Sequence, residues 1–331
     1  MQIFFTLPVL FLLEIGVDRK STWNFSLQTN EKITGFAIIK LELFVYSLAF
    51  VEEWGEAMKL VTLMDNCAGE NLGLKHEHGL SFYAQFPDAK VLFDFGPGPD
   101  TVENARKLDV PLESIQFAVG SHGHYDHGGG YPAFVEAGVR VPFVTGKGYF
   151  TEKYAVEDIR ATYLGVGFDE NFLEEKGILH KECSGVLPLS PSVSVMTGFR
   201  RSHSFETIPE RFRLRQGEEW KPDLFDDEIC LVHQLKEGLF VLVGCSHPGI
   251  LNILSSVQEQ YRQPIIGVAG GTHLMEASEA RIGETLVQMK KFGMKLIGFN
   301  HCTGETFRER VRKEPDLHAM YLGAGDTLFL E

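Results

Sequence analysis

Three histidines and an aspartate, His122, His124, His127 and Asp126, fall within six consecutive positions of the stretch 120–130, which reads GSHGHYDHGGG. The residues that lead into it, 114–122, form an apolar run of the kind that makes a buried strand. A lone histidine is usually a packed or solvated residue. Four metal-binding side chains crowded at the end of a buried strand point instead to a metal centre. In an extended segment residues two apart face the same way, so His122 and His124 present imidazoles to one ion while Asp126 and His127 face a second position. The glycines that follow, Gly128, Gly129 and Gly130, let the backbone bend and keep side chains out of the space above the cluster, leaving room for a substrate.

The pattern recurs downstream. LFVLVGCSHPG carries His247, IIGVAGGTHL carries His273 and KLIGFNHCTG carries His301, each just past an apolar run. Strand ends are where α/β architectures assemble their sites. Together these residues suffice for two metal sites, each with three protein ligands and open positions for water and substrate. His76, His180, His203, His233 and His318 have no such setting and read as packed or solvated.

Composition narrows the function classes. With 331 residues and 44% hydrophobic content the chain can bury one large core or two modest ones. A formal net charge of −14, without a run of Lys or Arg, excludes nucleic acid as a natural partner. Five scattered cysteines, an odd number with no CxxC pair, argue against a disulfide framework or a zinc ribbon and fit a reducing, cytoplasmic setting.

The first 57 residues stand apart, holding ten aromatics and no histidine, whereas all twelve histidines lie from His76 onward. Two apolar stretches occur there, 3–13 and 36–51. The first is too short to span a bilayer and the second carries Lys40 and Glu42, so no membrane association is expected. Residues 1–57 are read as an N-terminal extension, either loosely packed or a translated leader ahead of a start at Met58, and 58–331 as one catalytic domain.

From Met58 on, short β-type runs alternate with helical patterns. Strands are expected at 59–65, 80–86, 90–95, 114–122, 193–198, 228–235, 239–246, across PIIGVAGG and KLIGFN, and at the closing DTLFL, with a hairpin around Lys236, Glu237 and Gly238. Helices are expected across PGPDTVENARKL, YPAFVEAG, 250–261 and 278–292. Two β-rich halves with helices outside make a layered α/β sandwich. Residues 146–227 are less regular; Arg200, Arg201, Arg211, Arg213 and Arg215 read as a solvated excursion, in a segment long enough to act as a lid.

The segment HGHYDH has the H-x-H-x-D-H pattern and resembles the metallo-β-lactamase superfamily. EHGLSFY, LFDFG, GCSHPGILNI, GGTHL and NHCTG are similar to a branch of class II β-lactamase-like metal-dependent hydrolases. That branch includes the dihydropterin-dependent ribofuranosylaminobenzene 5′-phosphate synthases of methanopterin biosynthesis. The resemblance implies a four-layer αββα sandwich over nearly all of 58–331 and a mono- or binuclear site, usually zinc, with manganese or iron also suited to the donors. It implies that His122, His124 and His247 hold one ion and that Asp126, His127 and His301 hold the other. Where the superfamily often has a bridging carboxylate, this chain has His273, a terminal ligand, a hydrogen-bond donor or a proton carrier. Catalytic roles then fall to Asp126 and His273. Asp94 is either an orienter of ligand histidines or a turn residue before Gly96; Glu77 and His78 either reach the pocket or form a solvated turn; Cys302 is a small pocket residue. No organic cofactor is implied. The expected activity is hydrolysis of a small-molecule ester, lactone or phosphoester by a metal-activated water; the alternative is condensation of a dihydropterin with a phosphorylated ribosyl-aminobenzene.

Overall fold

The computed structural model describes residues 58–71 and 73–330 and, upstream of them, three strands, Gln2–Ile3, Leu12–Val17 and Trp23–Gln28, paired antiparallel. Contacts divide the chain into Met1–Gly55 and Glu56–Glu331. Apart from these strands, residues 1–57, read as an extension or leader, lie outside the described residues.

Two seven-stranded sheets build the larger unit. In one the order is His180–Cys183, Phe143–Gly146, Phe117–Val119, Lys90–Phe93, Ser81–Gln85, Met58–Met64 and Thr327–Leu330. The other runs Val186–Pro188, Val193–Met196, Cys230–Leu235, Gly238–Leu242, Ile265–Gly270, Leu296–Phe299 and His318–Tyr321. The two-residue period of a strand sorts the apolar side chains between layers. Leu60, Phe82, Ala84, Val91 and Phe93 join Leu231, Phe240 and Leu242 of the second sheet in one cluster. Their neighbours Val61, Leu63, Tyr83 and Leu92 turn the other way, onto the helices Asp100–Lys107 and Tyr131–Glu136. On the second sheet Cys230, Val232, Leu239 and Val241 pack against the helices Ile250–Tyr261, Glu279–Lys291 and Glu305–Val311. Strands buried on both faces read as near-continuous apolar runs, which is why they were legible in the sequence. The result is the expected four-layer α/β sandwich.

Local signals set the element ends. Ser278 caps the helix that follows by accepting the Arg281 N–H at 3.2 Å. Leu235 pairs with Gly238 across Lys236 and Glu237, so the expected hairpin has a two-residue loop.

Two expectations need correction. The strand expected over 114–122 is three residues, Phe117–Val119, preceded by a single turn of 3₁₀ helix at Leu112–Ser114. Beyond Val119 the chain leaves the sheet because Ser121 and the histidines are drawn to buried polar partners. The region 146–227 is also far more ordered than an excursion. Glu152–Glu157, Arg160–Tyr163, Phe212–Gln216 and Glu219–Pro222 form a four-stranded antiparallel sheet, and Glu170–Glu175 is a helix. Two of these strands, Arg160–Tyr163 and Glu219–Pro222, are exposed throughout, so they carry no apolar alternation to betray them.

Candidate metal centre

The candidate ligands lie just beyond the ends of strands that run side by side. Asp94 and His122 follow the parallel pair Lys90–Phe93 and Phe117–Val119. His247, His273 and His301 follow the parallel strands Gly238–Leu242, Ile265–Gly270 and Leu296–Phe299. Parallel strands end together, so residues more than a hundred positions apart meet at one end of the sandwich.

They meet in two groups. Ring nitrogens of His122, His124 and His247 lie within 4.8 Å of one another. His122 Nε2, His124 Nε2 and both ring nitrogens of His247 are buried with no hydrogen-bond partner. In the other group His127 Nε2 is 3.3 Å from His301 Nε2, and Asp126 Oδ2 is 3.6 Å from His127 Nε2 and 3.2 Å from His301 Nε2.

Outer partners decide which nitrogen carries the proton. Asp94 Oδ2 lies 2.7 Å from His127 Nδ1, and a carboxylate only accepts, so Nδ1 is the N–H and Nε2 is left as a lone pair. Ser121 gives its hydroxyl proton to Asp94 Oδ2 at 2.8 Å and its N–H to Oδ1 at 2.7 Å, and its oxygen takes the His122 Nδ1–H at 2.9 Å. Asp94 thereby orients one histidine of each group, which places it with the orienters and not with turn residues alone. His301 Nδ1 is 2.7 Å from Asn66 Oδ1, whose oxygen is identified by the Gly79 N–H it also accepts, at 3.2 Å. His301 Nε2 is therefore a second lone pair. Two imidazole lone pairs and a carboxylate oxygen thus face one another without a shared proton. Donors around one tetrahedral ion stand about 3.3–3.8 Å apart for bonds of about 2.0–2.3 Å. The donor set and its spacing fit a divalent cation.

Electrostatics keep His122, His124, His247 and Asp126 in ligand form, whereas at His127 burial is outweighed by Asp94 and Asp126, which raise the imidazole above its usual range. Burial, reinforced by the neighbouring imidazoles, pushes His122 and His247 well below the usual histidine range; burial does the same to His124. Burial alone would raise the Asp126 carboxyl, but His127, His301 and His78 outweigh it and hold Asp126 well below the usual range. These shifts set a pH dependence for the metal-free protein. The unfolded chain takes up protons at about pH 6.5 while folded His122, His124 and His247 do not, so these three, outnumbering the raised His127, should make stability fall as pH drops below that value. The slope should reach up to about 1.4 kcal/mol per pH unit for each such histidine. Denaturation midpoints of the metal-free protein at pH 7, 6 and 5 check this, and His247→Gln should flatten the slope.

The supporting frame was largely invisible in the sequence. Buried Lys153 places Nζ 2.8 Å from Asp223 Oδ2 and 3.0 Å from Asp227 Oδ1, while Asp227 Oδ2 accepts the Gly123 N–H at 2.9 Å. Glu228 accepts the N–H groups of Ser246 at 2.6 Å and His247 at 2.9 Å, and Asp65 accepts that of His301 at 2.7 Å. The Phe225 ring stacks on His247 at 3.8 Å, and Phe212 sits 5.7 Å from His124 and 5.2 Å from His247. The acidic run DLFDDE reads as solvated in the sequence, and without the fold nothing singled out Asp227 or Glu228. Left-handed backbone concentrates here: Asp94, Phe225, Ser246, His273 and His301 all have positive φ, a conformation that costs a non-glycine residue roughly 1–2 kcal/mol.

The remaining expectations fall into place individually. His273 lies beside His247, ring centres 4.2 Å apart, and both its ring nitrogens are buried and unpartnered. His78 reaches Asp126 Oδ2 at 3.2 Å, whereas Glu77 stays exposed. Cys302 is buried beside His273, accepting its N–H at 3.3 Å. None of His76, His180, His203, His233 or His318 belongs to a candidate metal group among the described residues. The glycine reading is corrected. Gly129 and Gly130 have ordinary right-handed backbone, and a Cβ on Gly130 would fall 2.1 Å from the Phe95 carbonyl oxygen. These glycines let the cluster's short helix press against the Phe95–Gly98 backbone; they do not clear space for a substrate. Gly123 does the same against the Tyr149 carbonyl, 2.0 Å from where its Cβ would be.

Comparison with known proteins bears on this geometry. The model of the metallo-β-lactamase superfamily matches residues 76–222. The 7,8-dihydropterin-6-methyl-4-(β-D-ribofuranosyl)-aminobenzene-5′-phosphate synthase of Methanocaldococcus jannaschii is 29% identical over 280 residues, covering 79% of this chain and 95% of the relative. An uncharacterised protein of the same organism is 26% identical over 252 residues, covering 73% and 89%. Among solved structures, Tm1679, described as a metal-dependent hydrolase of the β-lactamase superfamily, superposes with a TM-score of 0.71 at 29% identity, covering 82% of this chain and 98% of its own.

Proposed function

We propose that this chain, similar to the metallo-β-lactamase superfamily, is a metal-dependent hydrolase acting on a small-molecule ester, lactone or phosphoester. The observation that carries this reading is the set of buried, unpartnered ring nitrogens on His122, His124 and His247 beside the converging lone pairs of Asp126, His127 and His301. In this reading the first three hold one ion and the second three the other, and zinc is the expected metal. Such an ion, when bound, acts as a Lewis acid toward the substrate and toward water near neutral pH.

The chain's own residues do the rest. Asp94 and Ser121 fix the ring orientation of His127 and His122. Phe212 and Phe225 cover the His124 and His247 rings and exclude bulk water from that side. Asp126, kept ionised by its histidine neighbours, accepts a proton or holds the ion. His273, with two free ring nitrogens next to His247, moves a proton to or from the reacting group. Among the described residues no helix is long and apolar enough to cross a membrane; the five scattered cysteines, unpaired, are what supports a reducing, cytoplasmic setting.

A second reading is favoured by one observation, the coverage of 95% of the M. jannaschii synthase at 29% identity. There the same donors would organise a dihydropterin and a phosphorylated ribosyl-aminobenzene for condensation. One experiment separates the two. The metal-reconstituted protein is offered panels of esters, lactones and phosphoesters in ¹⁸O-labelled water, and separately the pterin and aminobenzene pair. Label appearing in a cleaved product supports the hydrolase; a condensed product supports the synthase. Metal-loaded protein that turns over neither class would overturn both.

A further inference from the structure

The sulfur of Cys245 lies 3.2 Å from His127 Nε2, and it groups with ring nitrogens of both His122 and His127 within 4.8 Å. It therefore stands between the two histidine sets. The residue is 3% exposed, two positions before His247 in GCSH. Nothing in the sequence marked it, since a single cysteine in an apolar strand end usually just fills space.

Three observations argue for more than packing. His127 Nδ1–H is committed to Asp94, so the ring atom 3.2 Å from the sulfur is a lone pair that accepts the thiol proton and is free to share an ion with the sulfur once that proton leaves. The 3.2 Å separation falls in line with the other donor spacings of this group, 3.2, 3.3 and 3.6 Å, close to the edge of a tetrahedron around one ion. The strand end where a shared acidic ligand was expected carries His273, so the position between the two sets has no carboxylate from that strand. The neighbouring sulfur of Cys302 accepts the His273 N–H at 3.3 Å and lies 3.5 Å from the Cys245 carbonyl oxygen; it groups with Cys245 and a His273 ring nitrogen within 4.8 Å, and with none of His122, His127 or His301.

We propose that Cys245 is a protein ligand of the metal centre, its sulfur sharing an ion with His127 on the side that faces His122. The inference rests on the metal-centre reading above and adds a soft donor to it. A thiolate shifts preference toward thiophilic ions such as zinc, ferrous iron and cobalt and away from manganese.

Cobalt(II) provides the test because its spectrum reports geometry and sulfur ligation separately. The metal-stripped full chain is titrated with cobalt(II), and visible ligand-field bands and the near-ultraviolet sulfur-to-cobalt charge-transfer band are recorded for the wild type, Cys245→Ser and Cys302→Ser. Both bands are expected in the wild type and in Cys302→Ser. Cys245→Ser should keep ligand-field absorption, lose the charge-transfer band, and bind zinc over manganese with a preference reduced by about 10- to 100-fold. Ligand-field bands in the wild type without charge transfer would overturn the cysteine assignment while leaving the metal centre standing. A charge-transfer band lost in Cys302→Ser and kept in Cys245→Ser would overturn it in favour of the other sulfur. Absence of any cobalt binding would remove the metal centre itself. If Cys245→Ser does not fold, the wild-type and Cys302→Ser spectra still decide the outcome.

Discussion

Alanine at His247 is expected to deplete one ion and alanine at His301 the other, whereas alanine at His273 should keep most of the metal and lower turnover by about 10²- to 10⁴-fold. His247 and His301 each belong to a group of three protein donors, so removal of either takes away about a third of an ion's protein ligands. His273 has a different setting: the donors grouped with it are the sulfurs of Cys245 and Cys302, with no second imidazole and no carboxylate. Its rings touch His247, its nitrogens are unpartnered, and its backbone N–H goes to Cys302. The measurement is metal content and rate for the three variants side by side. If His273→Ala loses a full equivalent of metal while His301→Ala loses none, the two roles must be exchanged.

Replacing Lys153 with methionine is expected to destabilise the protein by about 3–5 kcal/mol. The ammonium group and its partners Asp223 and Asp227 have side chains no more than 3% exposed, so removal of the cation leaves two buried carboxylates without a counter-charge. Burial opposes the charge on Lys153, yet Asp227 and Asp223 outweigh it and hold the amine above its usual range. The triad also ties the metal centre to the four-stranded sheet: Lys153 lies on its strand Glu152–Glu157, Asp227 grips the Gly123 N–H between His122 and His124, and Asp223 accepts the N–H of Phe225 at 2.8 Å. Metal affinity should therefore fall along with stability. Chemical denaturation of the wild type, Lys153→Met and the triple variant Lys153→Met, Asp223→Asn, Asp227→Asn checks this, the triple variant recovering part of the loss. A loss below about 1 kcal/mol in the single variant would show that these charges are solvated in solution and do not hold the site.

The sequence alone determined the doubly buried strands, the helices that cover them and the cluster from His122 to His127. Apolar runs such as Leu60–Met64 and Leu239–Val243 can be satisfied only by burial on two faces, and the histidine spacing is local, so both signals survive without knowledge of the fold. Local caps and turns, Ser278 and the Lys236–Glu237 loop, were legible for the same reason. What the tertiary structure decided is everything that depends on distant pairing. The exposed strands Arg160–Tyr163 and Glu219–Pro222 owe their order to neighbours across the small sheet, not to any apolar period of their own. Asp94 could be a turn residue or an orienter until Ser121 and His127 were seen on the same carboxylate. Gly128–Gly130 looked like clearance for a ligand and proved to be contact surface, because only the packed chain shows which atoms a side chain there would strike. Lys153, Asp227, Glu228 and Cys245 carry no local signature at all. Parallel strands bring their ends together across long intervals of chain, and it is that convergence, absent from any short window of sequence, that turns these scattered residues into the walls of one site.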